Sequence, residues 1–188
     1  MLSLARRRQL LFLARRLRFA LRFAGKPVRI DPTCWVSPRS EFLDRDGGSI
    51  SVGRYCEIHP YAMLMTYGGD IVLGDHCSVN PFSIIYGHGG TRIGNGVRIA
   101  AHCVVIPGNH VVSADGRWLI ETGVAGRGIQ IGDNVWLGAG TVVLDGVTIG
   151  RNAVIGAGSV VTKPVPEGVT VAGVPARIVA DRRAEHTR

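Results

Sequence analysis

The sequence predicts an all-β solenoid, a left-handed parallel β-helix, preceded by one short basic amphipathic α-helix. Three observations carry that prediction. An aliphatic residue recurs every six positions through much of the chain, most plainly at Ile131, Leu137, Val143, Ile149, Ile155 and Val161. The 188 residues are 46% hydrophobic with 26 glycines but only 6% aromatic, a balance suited to many short strands and tight corners. The formal net charge of +8 lies wholly in residues 1–26, where seven arginines and Lys26 meet no acid. The rest of the chain, 27–188, holds the other 14 bases and all 14 acids and sums to zero.

The leader comes first in order. Residues 9–24 read as a helix that Gly25-Lys26-Pro27 ends. At a helical step, Leu10, Leu13, Ala14, Leu17, Ala20, Leu21 and Ala24 share one stripe. Arg15, Arg18 and Arg22 group beside it, and Phe12, Phe19 and Phe23 form a second apolar strip. Two environments suit such a helix. One is an anionic membrane interface; the other is the surface of its own domain or of a neighbouring subunit. A secretory signal is not expected, because Gln9–Ala14 is too short for an apolar signal core. The expectation is a cytoplasmic protein, peripheral to the inner face of the membrane if the leader meets lipid. No uncharged apolar run approaches bilayer length. A body without net charge also argues against nucleic-acid binding.

The body, 27–180, follows the hexad beat, and 181–188 form a tail. Ile30 and Val36 make a ragged start. Val52, Ile58 and Leu64 form one block, Leu73, Val79 and Ile85 a second, and Ile93, Ile99 and Val105 a third. A period of six is neither that of an amphipathic helix nor that of an alternating strand. Three hexads make one triangular coil, with each aliphatic anchor pointing inward and the residue four later filling the remaining gap. Stacked coils bury what one repeat cannot. Cys34, Cys56, Cys77 and Cys103 each stand four after an anchor, so they are expected to be buried free thiols rather than ligands or disulfides.

Function is expected where the beat breaks. The largest break, at about 111–128, separates the hexads of Val105 and Ile131 and follows Pro107-Gly108-Asn109-His110. The hexad count turns His110 outward, as a candidate general base, and puts Asn109 in the small inward slot. His76, His88 and His102, each three after an anchor, are expected on neighbouring outward faces, where stacked histidines can hold a metal. The close histidine pair of hexapeptide-repeat carbonic anhydrases is missing, so no metal is expected.

From Cys77 to Arg177 the chain resembles the hexapeptide-repeat acyltransferases, most closely the maltose and galactoside O-acetyltransferase group. VNPFSIIYGHGGTRIGNGVRIAAHCVVIPGNH and the later IGDNVWLGAGTVVLDGVTIG, closing on AGVPAR, carry the likeness. The resemblance implies acetyl-CoA as co-substrate and a homotrimer with active sites between subunits. It places the catalytic histidine at His110 and an acceptor-pocket asparagine at Asn80. Trp136 would flank the acyl-CoA channel, with Gly138, Ala139, Gly156 and Ala157 along the coenzyme and Lys163 and Arg177 near its nucleotide end. The family's acidic sugar-binding residue is replaced around Tyr86-Gly87-His88. That change argues against galactoside specificity and makes Tyr86 and His88 expected acceptor contacts.

The residue types agree with that chemistry. An alcohol is a poor nucleophile at neutral pH, and a histidine with an ordinary pKa of about 6.5 can take its proton. No G-x-S-x-G or Ser-His-Asp arrangement is present, so direct transfer is expected rather than an acyl-enzyme. The reading is an O-acetyltransferase acting on a saccharide, free or lipid-linked. Its rivals are a non-catalytic solenoid scaffold and a metal-dependent hydratase.

Overall fold

The six-residue beat closes into a three-sided prism. In the computed structural model, which describes residues 4–182, six coils stack in register. The first face holds Val28–Ile30, Ile50–Val52, Ile71–Leu73, Thr91–Ile93, Ile129–Ile131 and Thr148–Ile149. The second holds Trp35–Val36, Glu57–Ile58, Ser78–Val79, Arg98–Ile99, Trp136–Leu137 and Val154–Ile155, then the closing hairpin Val169–Gly173 and Ala176–Asp181. The third holds Glu41–Leu43, Met63–Met65, Ile84–Tyr86, Val104–Ile106, Val142–Leu144 and Val160–Val161. Neighbours on each face pair in parallel apart from the hairpin, and anchors fall on anchors: Val52 on Leu73, Leu73 on Ile93, Ile93 on Ile131, Ile131 on Ile149.

That register makes one aliphatic column per face. All six anchors from Ile131 to Val161 are buried, as are the residues four later, Val135, Thr141, Val147, Ala153, Ser159 and Val165. Inward hydroxyls are satisfied by backbone, Thr141 Oγ1 donating to Gly138 O at 2.7 Å and Ser83 Oγ to Ala100 O at 2.8 Å. The four cysteines are buried in the same small slots. Each thiol donates to a carbonyl, Gly53, Gly74, Gly94 and Gly138 in turn, at 2.9–3.2 Å. Burial pushes the Cys103 thiol up from its ordinary value.

Corners have their own rule. At many corners the residue three after an anchor turns the chain in the left-handed region, with φ from 44° to 62° at Tyr55, Tyr61, Tyr67, His76, Phe82, His102, Asn134 and Asn152. Its side chain points outward, and rings on consecutive coils then stack, Tyr61 on Phe82 at 5.0 Å and Phe82 on His102 at 5.1 Å.

The leader helix runs Leu4–Arg22, starting earlier and ending two residues sooner than its sequence pattern suggests. The side chains of residues 1–11, Leu10 among them, and residues 183–188 of the tail lie outside the described residues. Phe19 and Phe23 join the main core and cap its open end, the Phe23 ring lying 5.1 Å from Phe42 edge-on. Arg22 does not stay with the exposed arginine band. Its guanidinium turns inward, Nη1 donating to Ser37 O at 3.0 Å and Nη2 to Ser40 O, between the Phe23 and Phe42 rings. No described helix is long and apolar enough to cross a membrane.

Candidate active site

The corner between the third face and the first gathers the candidate acceptor and proton-transfer residues. The strand Met63–Met65 delivers Tyr67, the strand Ile84–Tyr86 delivers Tyr86 and then His88, and the strand Val104–Ile106 leads to Gly108 and His110. Coil stacking brings them together. The Tyr67 and His88 rings lie parallel at 4.8 Å and 6°. The Tyr86 ring is tilted against both, 5.7 Å and 45° from Tyr67 and 5.9 Å and 49° from His88. With Asp46, Ile106, Gly108, His110 and Val124 they line a cleft of about 640 Å³.

The root of the long loop forms the cleft's far wall. Asn109–His110 pairs antiparallel with Val124–Ala125, His110 opposite Val124, and a short helix, Leu119–Thr122, sits at the loop's outer end. Gly108 is required there, because a Cβ would meet His88 Cβ at 2.7 Å. His110 is exposed, as the hexad count expects. Asn109 is not in the inward slot. The chain leaves the coil at Pro107-Gly108, so Asn109 is exposed and its amide lies 3.5 Å from Asp145.

Electrostatics separate the two histidines. Burial holds the His88 imidazole below its ordinary pKa; the nearby His110 adds to this and Asp46 opposes it. His88 Nδ1 is buried with no hydrogen-bond partner. The cleft therefore offers a neutral, half-buried imidazole, an exposed imidazole, two phenols and a carboxylate around one space.

A second edge, between the second and third faces, carries most of the candidate coenzyme residues. Gly138-Ala139-Gly140 and Gly156-Ala157-Gly158 stack in the fifth and sixth coils, Gly158 N donating to Ala139 O at 2.8 Å. A Cβ on Gly138 would meet Ala157 N at 2.6 Å and Ile155 O at 2.8 Å, so only glycine lets these coils close up. Ala139 and Ala157 are exposed, leaving a smooth strip beside the outward ring of Trp136. Arg177 is exposed on the closing hairpin of the same face, whereas Lys163 is exposed beyond the last strand of the third face, away from the strip.

Asn80 lies on this second edge, in the third coil, its amide donating to Ile99 O at 2.8 Å. It does not line the cleft. One face of the prism, roughly 15 Å of strand and corner, separates the strip from His110 within one chain. His76, His88 and His102 stand on three different corners rather than on neighbouring faces. His76 stacks on Tyr55 and His102 on Phe82, and no group of three His, Cys, Asp or Glu converges among the described residues. Sequence reasoning missed Tyr67 and Asp46. Tyr67 had a signal, since it follows Leu64 by three as His88 follows Ile85; Asp46 follows a break in the beat and had none.

Residues 128–163 match the family model described as bacterial transferase hexapeptide (six repeats). No curated protein matches the chain. Among solved structures, the chain is similar to AntD, an N-acyltransferase from Bacillus cereus, in complex with dTDP and 3-hydroxybutyryl-CoA. That match has a TM-score of 0.74 at 18% identity over 90% of each chain. A variant of AntD with dTDP-4-amino-4,6-dideoxyglucose and coenzyme A gives 0.71 at 18% identity, over 88% of this chain and 89% of that one. A hexapeptide transferase family protein from Anaplasma phagocytophilum gives 0.58 at 19% identity over 82% of each. At such identities the structural likeness speaks to the fold, and the repeat match speaks to residues 128–163. Residues 128–163 thus carry the hexapeptide repeat of the bacterial transferases, on a fold like that of the acyltransferase AntD.

Proposed function

We propose that the protein is a coenzyme-A-dependent acyltransferase that moves an acetyl group to a hydroxyl of a saccharide, with His110 as general base. The cleft of His110, His88, Tyr86, Tyr67 and Asp46 carries this reading. Its aromatic walls suit a pyranose ring, and its polar groups suit hydroxyls at the ring's edge. AntD, with its bound acyl-CoA and sugar nucleotide, supports acyl transfer as the reaction class. The segments resembling maltose and galactoside O-acetyltransferases support a saccharide hydroxyl as acceptor.

The residues on the second edge fit a coenzyme A. The smooth Gly-Ala strip admits an extended pantetheine arm, Trp136 borders it, and Arg177 supplies a cation toward its phosphates. A bound acyl-CoA would supply the thioester. His110 takes the acceptor proton as the new C–O bond forms, then returns it to the coenzyme sulfur as the C–S bond breaks. His88, kept neutral by burial, accepts a hydrogen bond from the acceptor or gives one, and Asp46 and Tyr86 fix the ring.

Strip and cleft lie on different edges, so one chain does not hold donor and acceptor together. A homotrimer in which the strip of one subunit faces the cleft of the next brings them within reach. The loop fits that assembly: Val112, Trp118 and Ile120 are exposed at its outer part, an apolar tip suited to a neighbouring chain. The test is thiol release from acetyl-CoA against a panel of free and lipid-linked saccharides, with mass analysis of the product. An O-acetylated saccharide supports the reading; release with no saccharide, or an N-acetylated amino sugar alone, overturns it.

A further inference from the structure

The leader helix has two apolar surfaces, and the solenoid uses one. Phe19 and Phe23 close the core against Phe42, and Arg22 is bonded to the first coil, so the helix is fixed across the prism's end. On its other side Leu13, Leu17 and Leu21, four residues apart, are 51%, 62% and 72% exposed. At a helical step Arg16 falls on one flank of this leucine stripe and Arg18 on the other, both exposed.

Charge selects the cover for that stripe. A second copy of the chain would set eight like charges against eight, and the remaining body has no net charge to oppose them. An anionic lipid surface supplies an acyl boundary for the leucines and phosphates for the guanidinium groups at once. We propose that the helix docks the solenoid on an anionic leaflet, the phenylalanine strip clamping the prism and the leucine stripe entering the lipid boundary.

The docking sets the height of the cleft, a consequence that rests on the acyl-transfer reading above. Coils stack at about 4.8 Å, and Asp46, Tyr67, His88 and His110 follow the first, second, third and fourth coils in turn. The cleft thus rises roughly 15 Å from the capped end, within reach of a saccharide held on a lipid headgroup. The acceptor class is a lipid-linked saccharide.

The test uses the full chain and vesicles of phosphatidylcholine with or without a third of phosphatidylglycerol. Wild type is expected to co-sediment with the anionic vesicles only, more weakly as salt rises. Leu17→Gln/Leu21→Gln, which keeps helix propensity at exposed sites, should weaken that binding at least about tenfold while leaving fold and oligomeric state unchanged. Wild type that ignores anionic vesicles, or a double variant that binds as well as wild type, overturns the docking. A double variant that loses its oligomeric state instead assigns the stripe to a subunit interface and also overturns it. In the thiol-release assay the double variant should lose turnover on a saccharide lipid in anionic vesicles and keep it on the free saccharide. Vesicle binding without turnover on any saccharide would defeat the acyl-transfer reading alone; turnover on free saccharide without vesicle binding would defeat the docking alone.

Discussion

Arg22 fixes the leader to the solenoid, so Arg22→Ala tests whether the helix is an integral cap. Its guanidinium gives Nη1 to Ser37 O at 3.0 Å and Nη2 to Ser40 O, with a weaker 3.4 Å contact to Ser40 Oγ. Both serines are buried, so water does not readily replace those donors. The charge also lies 5.2 Å from the Phe23 ring and 5.5 Å from the Phe42 ring. A hydrogen bond from a charged donor contributes about 1.5–3 kcal/mol and a cation–π contact about 0.5–1 kcal/mol. Burial, with Arg18 close by, draws the Arg22 guanidinium below its ordinary pKa, and this desolvation offsets part of the gain. The net loss expected for Arg22→Ala is therefore about 2–3 kcal/mol, not the sum of the contacts. Arg18→Ala, on the exposed flank, should change stability by less than about 0.5 kcal/mol. Urea unfolding at unchanged slope reads the difference, and chymotrypsin should cut at Phe19 and Phe23 faster in Arg22→Ala. An Arg22→Ala protein as stable and as resistant as Arg18→Ala would refute the cap.

Leu137 is a fully buried anchor, and Leu137→Ala should cost about 2–5 kcal/mol in the same unfolding assay; a cost below about 1 kcal/mol would contradict the core register. The four cysteines should resist a thiol reagent until the protein unfolds, so fast labelling of native Cys103 would remove it from the interior. His88 is held below its ordinary pKa, so the unfolded chain takes up the proton first as pH falls from about 6.5. Its contribution to stability is present above that value and is lost on acidification through the lower folded value. Stability of His88→Gln should accordingly fall less than that of wild type between pH 7 and 5, and parallel curves would refute the assignment.

The prism was legible because its interior accepts one kind of residue at one interval. Ile131, Leu137 and Val143 each face the axis, and any polar residue there would lose its water unpaired. The small slot was legible for the same reason, and it placed the cysteines. What the hexad count could not supply was the corner on which a residue stands. His76, His88 and His102 share one offset from their anchors, yet that offset recurs on all three corners, so equal spacing did not mean proximity. Asn109 was misplaced because the beat was extended past Pro107-Gly108, where the chain leaves the coil. Arg22 reads with Arg15 and Arg18 on a helical wheel, and only the bend after it, with Ser37 and Ser40 nearby, turns it inward. Asp46 reaches the cleft through a loop whose shape depends on buried Thr66, whose Oγ1 donates to Arg45 O and accepts from Arg45 N, both at 2.8 Å. No local pattern announces such a contact.

The central claim is that the cleft's exposed histidine moves the acceptor proton. Turnover of acetyl-CoA with an accepted saccharide, compared between wild type and His110→Ala at equal coenzyme affinity and equal oligomeric state, tests it most directly. The account predicts a fall of about 10²–10⁴-fold in the turnover rate. Turnover within a few-fold of wild type, with coenzyme binding and assembly intact, would contradict it.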